Sequence, residues 1–219
     1  MTRNRRQWLP QAVRCFRSQT YPNKELLIVA DGENIRDVVP DDPNIRLVEI
    51  ESGHTIGEKR NFGCERAARE FIAHWDDDDF SAPGRLADQL SRLQASGKAV
   101  IRYSPMYFAR TRPGRPVPCS LSPVPSLEWW IFQGSGIAVI GSSLFYSKSW
   151  WERHPFPARQ VGEDSDFGME AARAGQLVTA EAGLLMAATI HPANSSPRNL
   201  SGYTKVPDFP GVHGLEFPQ

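Results

Sequence analysis

Three groups of residues have types that do chemistry when brought together: the run Asp76-Asp77-Asp78-Asp79, the trio Glu163, Asp164 and Asp166, and His191. Two neighbouring carboxylates about 4 Å apart repel by roughly 4 kcal/mol at an effective dielectric of about 20. A solvated tail relaxes that repulsion by moving. This run instead follows the apolar stretch Phe71-Ile72-Ala73-His74-Trp75 and precedes Ser81-Ala82-Pro83, so a bound cation is the expected compensation. Oxygen-rich sites favour hard cations, and Mg²⁺ or Mn²⁺ takes one or two carboxylates plus substrate phosphates; an imidazole such as His191 tilts the choice toward Mn²⁺. An ion of that kind stabilises the charge on a departing diphosphate. The Glu163-Asp164 pair then suits the task of deprotonating an incoming hydroxyl. A bare aspartate, with a pKa of about 3.9, is a weak base, and a like-charged neighbour pushes such a group upward. Each group also has a plainer reading. The run would be an acidic turn whose last member caps the next helix, Glu163-Asp164 would be first-turn residues favoured by the helix dipole, and His191 a satisfied core histidine.

The elements that must position these groups are legible from period and punctuation. Leu9, Val13 and Phe16 recur at helical spacing, with Pro10 in the first turn. The continuous apolar run Glu25 to Ala30 predicts a strand buried on both faces, ending at the turn Asp31-Gly32-Glu33-Asn34. An alternating strand spans Ile45 to Ile50, a polar loop spans Gly53 to Gly57, and a helix runs from Glu58 to about Arg69. The strand Phe71 to Trp75 delivers the aspartates. Ser81 is expected to cap a helix bearing Leu86, Leu90 and Leu93 and stopped by Gly97. Strands follow at Ala99 to Tyr103, Gly136 to Gly141 and Leu144 to Tyr146, then a short helix capped by Ser149, a helix from Glu163 to Arg173, and strands at Leu177 to Thr179 and Leu184 to Ile190. Arg110 to Pro125 is Pro-rich and is expected to be a surface excursion. Strands alternating with helices indicate an α/β sheet covered on both faces, with ligands at the carboxyl ends of strands. Asp31 and the aspartate run both fall at such ends. The expected organisation is one domain over 1–192, with about 1–80 as one half and 81–192 as the other, and an irregular Pro/Gly-rich tail over 193–219.

The totals narrow the function classes. The chain has 219 residues, 40% apolar and 23% charged, with Lys+Arg and Asp+Glu both 25, so no global basic field recruits nucleic acid or membrane. The local cluster Arg3, Arg5, Arg6 is expected to be a solvated N-terminus. Three separated cysteines, Cys15, Cys64 and Cys119, form neither a disulfide framework nor a zinc knuckle and fit a reducing cytosol, hence a cytoplasmic location. No apolar run is long enough for a transmembrane helix, and the charged start is not a signal peptide. The sequons at Asn194 and Asn199 are then accidental. The chain has no GxxxxGK[ST] phosphate loop, no dinucleotide fingerprint around Gly134 and Gly136, no HExxH and no GxSxG elbow. An acidic, metal-requiring site remains the main lead.

Taken together, Gln19-Thr20-Tyr21-Pro22, the strand LLIVADGE, GEKRNFGCERA, HWDDDDFSAPGRL, and GED with a late HP occur in one order over about residues 2 to 192. That ordered set resembles family 2 glycosyltransferases, inverting GT-A-fold enzymes that use nucleotide-sugars. The resemblance implies a mixed, mainly parallel sheet with helices on both faces. It also implies a metal-dependent (Mn²⁺ or Mg²⁺) hexosyltransferase-type transfer from a nucleoside diphosphate donor, a UDP- or GDP-sugar, to an acceptor hydroxyl. By position, Asp76 to Asp78 resemble the family's DxD element, with Asp78 the preferred metal ligand, Asp76 sharing the metal or, like Asp77, holding ribose, and His191 a further ligand. Asp164 resembles the catalytic base, with Glu163 beside it. Arg60 and Asn61 match the segment beside the nucleotide, Asp31 the base-contacting strand end, and Trp129 and Trp130 acceptor-side elements, for which core packing is the plainer reading. Two departures stand out. The family usually opens with a strand of the VSVIIPTYNR pattern, whereas this chain begins Met1-Thr2-Arg3-Asn4-Arg5; a late recorded start, a fragment, or another occupant of the strand's place would each account for it. Ala30 stands where the family often has the first of two aspartates. These departures give the alternative reading, a catalytically impaired GT-A-like domain that binds a nucleotide-sugar or a protein partner. A metal-dependent nucleotidyltransferase is disfavoured, since no Gly-rich, Lys/Arg-bearing phosphate loop lies near the N-terminus. Sugar, acceptor and oligomeric state depend on features, such as the loops around 104 to 135, that these motifs do not reach.

Overall fold

In a computed structural model that describes residues 1–111, 127–132, 141–192, 194 and 200–207, the apolar run Leu26–Ala30 is β1. Its side chains pack on both sides because helices cover both. Helix α1 (Leu9–Arg17) lays Leu9, Val13 and Phe16 against Leu26, Ile28 and Ala30. On the opposite side, Gly63 of α2 (Ile56–Arg66) approaches Val29. β1 pairs in parallel with β2 (Ile45–Glu49). Thr55 starts α2 with a capping box, its hydroxyl accepting from Glu58 N–H while the Glu58 carboxylate accepts from Thr55 N–H at 2.7 Å.

A four-stranded sheet follows in the order β3 (Phe71–Ala73), β8 (Phe145–Ser147), β5 (Val100–Tyr103), β9 (Leu177–Ala180). Alternate residues of each strand serve different layers. Phe71, Ala73, Ile101 and Phe145 meet α3 (Arg85–Ser96) through Leu86, Leu90 and Leu93. Ile72, Val100 and Tyr146 meet Cys64 of α2, Trp150 and Trp151 of α4 (Lys148–Arg153), and Phe167 and Ala171 of α5 (Glu163–Arg173). A second sheet, in the order β11 (Tyr203–Val206), β7 (Leu127–Phe132), β6 (Met106–Thr111), β10 (Met186–Ile190), β4 (Phe80–Ser81), holds its own core around Met106, Phe108 and Met186. The mixed α/β architecture with helices on both faces is as expected, but its pairings are less parallel than the resemblance implies. β1–β2, β5–β9 and β6–β10 are parallel, and the remaining pairs of named strands are antiparallel.

Several local expectations are corrected. Ser81 does not cap α3; it lies in β4, opposite Met186, and Gly84 precedes the helix without a side-chain cap. Ser147, not Ser149, caps α4. The tail contributes β11 rather than staying irregular. Gly97 does stop α3, at φ +65, where a residue without Cβ is unstrained. Most of the 110–125 excursion, the strand expected over 136–140, Cys119, Gly134, Gly136, Asn199 and most of the tail lie outside the described residues.

On the edge of β1 away from β2, Thr2 is the one pairing partner among the described residues. Its N–H donates to Val29 O at 2.9 Å and its carbonyl accepts from Asp31 N–H at 3.3 Å, one parallel bridge to Ala30. Beyond it, no strand among the described residues pairs with the inner edge of β1 or of β3. Between those edges lies a cavity of about 310 Å³, lined by Leu27, Val29, Ile72, Ala73, Gly63 and Leu90.

Candidate active site

The chain leaves β3 at His74 and re-enters a strand at Phe80, so the four aspartates form the turn between two sheets. A buried guanidinium holds that turn in place. Arg85, 1% exposed, donates to the carbonyls of His74 (2.9 Å) and Ser142 (2.8 Å), to Ser81 Oγ (2.8 Å) and to Gln89 Oε1 (3.2 Å). Gln89 adds a bond to Ser143 O, and Gln11 of α1 donates to Asp79 O at 3.2 Å. Gln19 ties α1 to α3 by donating to Ala82 O and accepting from Leu86 N–H. Neither Arg85 nor the glutamines stood out in the sequence as site residues; Arg85 and Gln19 did fall inside segments that carry the family resemblance.

The four carboxylates have different surroundings. Asp76 is half-buried, whereas Asp77, Asp78 and Asp79 are buried. Oxygens of Asp76, Asp78 and Asp79 lie within 4.8 Å of one another, a spacing suited to a shared cation. Asp78 Oδ2 is 2.8 Å from His191 Nε2 and 3.1 Å from Asn194 Nδ2, and it accepts from Arg5. Burial alone would raise the Asp78 carboxyl, but the His191 bond and Arg5 outweigh it and hold it below the usual range. Asp79 accepts from Thr189 N–H at 2.9 Å, yet burial and the charges of Asp78 and Asp76 drive its carboxyl well upward. Burial also pushes Asp77 up to about 6, against the pull of Arg5; its Oδ2 has no hydrogen-bond partner. His191 is buried and stacks on Trp8, ring centroids 4.7 Å apart. The expected solvated N-terminus is therefore corrected: Arg5 inserts among these acids because their uncompensated charge attracts it.

Asp164 reaches the same cleft, of about 510 Å³, from the first turn of α5. Its carboxylate rests against Gly141: a Cβ there would lie 1.8 Å from Asp164 Oδ2, so only glycine admits it. Asp164 Oδ1 accepts from Ser165 N–H at 2.7 Å. Glu163 lines the cleft beside it but is engaged by Arg60. It is buried, its carboxyl raised by burial, and it accepts from Arg60 Nε at 3.0 Å. Burial would lower the Arg60 guanidinium, but Asp76, Glu163 and Asp164 outweigh it and hold it charged. His74 Nδ1 is 2.7 Å from Gly141 O; a carbonyl only accepts, so this nitrogen carries the proton, does not accept from Arg60 Nη1 3.0 Å away, and leaves Nε2 to accept from Tyr146 hydroxyl at 3.2 Å.

Of the residues expected at the site, the structure gathers Asp76, Asp77, Asp78, Asp164, Glu163, Arg60 and His191. Four are elsewhere. Asp31 is fully buried and paired with Lys59 Nζ at 2.8 Å, since an isolated carboxylate there would lack compensation. Asn61 accepts from Trp151 Nε1 and Phe156 N–H and donates to Phe156 O, so its amide groups serve packing. Trp129 lies in β7 against Cys15, Phe80 and Ala109. Trp130, on the other side of that strand, packs with the Met106–Phe108 core beneath Lys205.

Comparison with known proteins bears on this geometry. A family model described as "Glycosyl transferase family 2" matches residues 1–155, which include the aspartate run and Arg60 but stop short of Asp164 and His191. An "Uncharacterized glycosyltransferase" of Haemophilus influenzae is 30% identical over 90 residues, 38% of this chain and 36% of that protein. S. aureus TarS 1–349, in complex with UDP-GlcNAc, superposes with a TM-score of 0.65 at 18% identity over 89% of this chain and 58% of its own. A longer S. aureus TarS chain gives 0.63 at 19% identity over 87% and 36%. At such identities the TarS likeness establishes the fold. The chain spans less than two thirds of each of these proteins.

Proposed function

Since the chain belongs to glycosyl transferase family 2, we propose that it transfers a sugar from a nucleoside diphosphate donor to an acceptor hydroxyl with inversion. The observation that carries this reading is a single cleft lined both by the acidic turn and by Asp164. The donor set fits a hard cation: three carboxylates converge, an imidazole adjoins Asp78, and a buried Asp77 oxygen lacks a partner. Asp76, Asp78 and Asp79 would hold Mn²⁺ or Mg²⁺ with His191, and the ion would supply positive charge against the leaving diphosphate.

The chain's own residues then have distinct tasks. Asp164 takes the acceptor's hydroxyl proton as the acceptor oxygen bonds to the sugar's anomeric carbon and the bond to phosphate breaks on the opposite face. Gly141 leaves room for the Asp164 carboxylate. Arg60 ties Glu163 down and adds a fixed positive charge beside Asp76. Because TarS is described with UDP and UDP-GlcNAc, a UDP-sugar is the first donor to try. Asp164→Asn is expected to abolish transfer, a loss of about 10³-fold or more, while calorimetry shows UDP-sugar binding within a few-fold of the unaltered chain. Undiminished turnover would reject Asp164 as the base. The pairing of buried Asp31 with Lys59 withdraws the carboxylate expected to contact the base, which favours a second reading, a catalytically impaired GT-A-like domain. It would show as weak UDP binding and no transfer by the unaltered chain.

A further inference from the structure

Arg5 occupies an unusual position for a residue near the start of the chain. Its Nη1 lies 3.2 Å from Asp77 Oδ1, and its Nη2 donates to Asp78 Oδ2 and lies 3.2 Å from His191 Nε2. The guanidinium thus touches two of the four aspartates and the imidazole that adjoins them. Burial works against its charge, and Asp78 and Asp77 more than restore it. The residues on either side are tied to Glu33: Asn4 Oδ1 accepts from its N–H at 3.0 Å, and Arg6 N–H donates to its Oε1 at 3.1 Å. A change of side-chain rotamer is then enough to take Arg5 off the aspartates. Its side chain borders the open cleft.

From this placement we infer that Arg5 is the resident cation of the acidic turn, that a divalent cation binds there only by displacing it, and that the displaced guanidinium turns to the donor's diphosphate. The inference rests on the metal-dependent reading above. Its physical basis is simple. Asp78 Oδ2 serves Arg5 and cannot also be a close ligand of an ion without the two positive charges meeting, and repulsion at such distances is severe in a partly buried site. A guanidinium is a planar fork that fits phosphate as well as carboxylate, so the residue that leaves the aspartates suits the anion that arrives with the ion. The exchange would couple the two ligands: metal without diphosphate leaves Arg5 without a counter-ion, and the diphosphate restores one.

The test uses Mn²⁺ and UDP as probes. Mn²⁺ binding is followed by the electron paramagnetic resonance of the free ion, in the unaltered chain, in Arg5→Gln and in Arg5→Lys. Without UDP, Arg5→Gln is expected to bind Mn²⁺ tighter by about tenfold or more, with Arg5→Lys in between because it keeps the charge but not the fork. With Mn²⁺ saturating, Arg5→Gln is expected to bind UDP more weakly by about tenfold. Arg5→Lys conserves charge and keeps the test available should Arg5→Gln fail to fold. Equal or weaker Mn²⁺ binding by the variants would overturn the exchange while leaving the metal site standing. Absence of Mn²⁺ binding in every protein would overturn both.

Discussion

His74 sits two residues before Asp76, wholly inside the protein, with its two nitrogens committed to Gly141 O and the Tyr146 hydroxyl. Burial, reinforced by the neighbouring Arg60, depresses its pKa well below the ordinary value. A base whose folded pKa is depressed is stabilising above its unfolded pKa, near 6.5, and that contribution is lost as the pH falls, because the unfolded chain takes up a proton the folded one refuses. The melting midpoint is therefore expected to fall as pH drops below about 6.5, with His74 supplying up to about 1.4 kcal/mol per pH unit. His74→Gln should flatten that acid limb while lowering stability at pH 7 by about 1–3 kcal/mol through unpaired partners. Melts across pH 5 to 8 with both proteins check it, and an unchanged acid limb would rule His74 out as its source. The residue-level chemistry of the acidic turn and Asp164 could be anticipated because carboxylates at strand ends announce themselves. Arg5 could not, since nothing local distinguishes an arginine that reaches the acids from its neighbours Arg3, which is exposed, and Arg6, which pairs with Asp37.

At the scale of elements, the turn between β3 and β4 depends on α3 through one side chain. Arg85 fixes carbonyls from two separate loops, His74 and Ser142, and the second of these adjoins Gly141, against which Asp164 rests. Arg85→Met keeps length and apolar contact but strands those acceptors, and is expected to cost about 3–5 kcal/mol by urea unfolding. Activity should fall further than stability explains, since both halves of the cleft lose their shared anchor. A loss under about 1 kcal/mol would show that the carbonyls find other donors. Elements with strong local period, such as α1 with Leu9, Val13 and Phe16 or β1 with its unbroken apolar run, were readable before the fold was known. β4, β6, β7 and β11 were not: their pairings are set by distant strands, such as Met186 opposite Ser81. Ser81 therefore reads locally as a cap although its hydroxyl serves Arg85. The placement of Asp31, Asn61, Trp129 and Trp130 away from the acidic turn was hidden for the same reason, because motif position does not reveal which way a side chain turns.

At the scale of the whole molecule, α1, β1 and β2 form one body, the β3–β8–β5–β9 sheet with α3, α4 and α5 forms the body beside it, and α2 packs against both, through Gly63 on β1 and Cys64 on the sheet. The cleft draws Arg5 from the start of the chain, Arg60 from α2, and the aspartate turn and Asp164 from the region beyond. What joins the two bodies across the cavity between β1 and β3 is not a continuous ladder but hydrogen bonds outside the strands, such as Gln19 to Ala82 and Asn61 to Phe156, together with side-chain packing. A ladder transmits unfolding, because breaking one strand's pairing exposes the next. An interrupted one lets its parts open separately. Amide protons of Leu26 to Ala30 and Ile45 to Glu49 are thus expected to exchange with deuterium by a partial opening, at lower free energy than those of Val100 to Tyr103, which report loss of the whole structure. Equal protection in both sets would mean that the molecule opens as one. The gap in the sheet thereby becomes a boundary of cooperativity: β1 and β2 fray and reform while the sheet that leads into the aspartate turn stays folded.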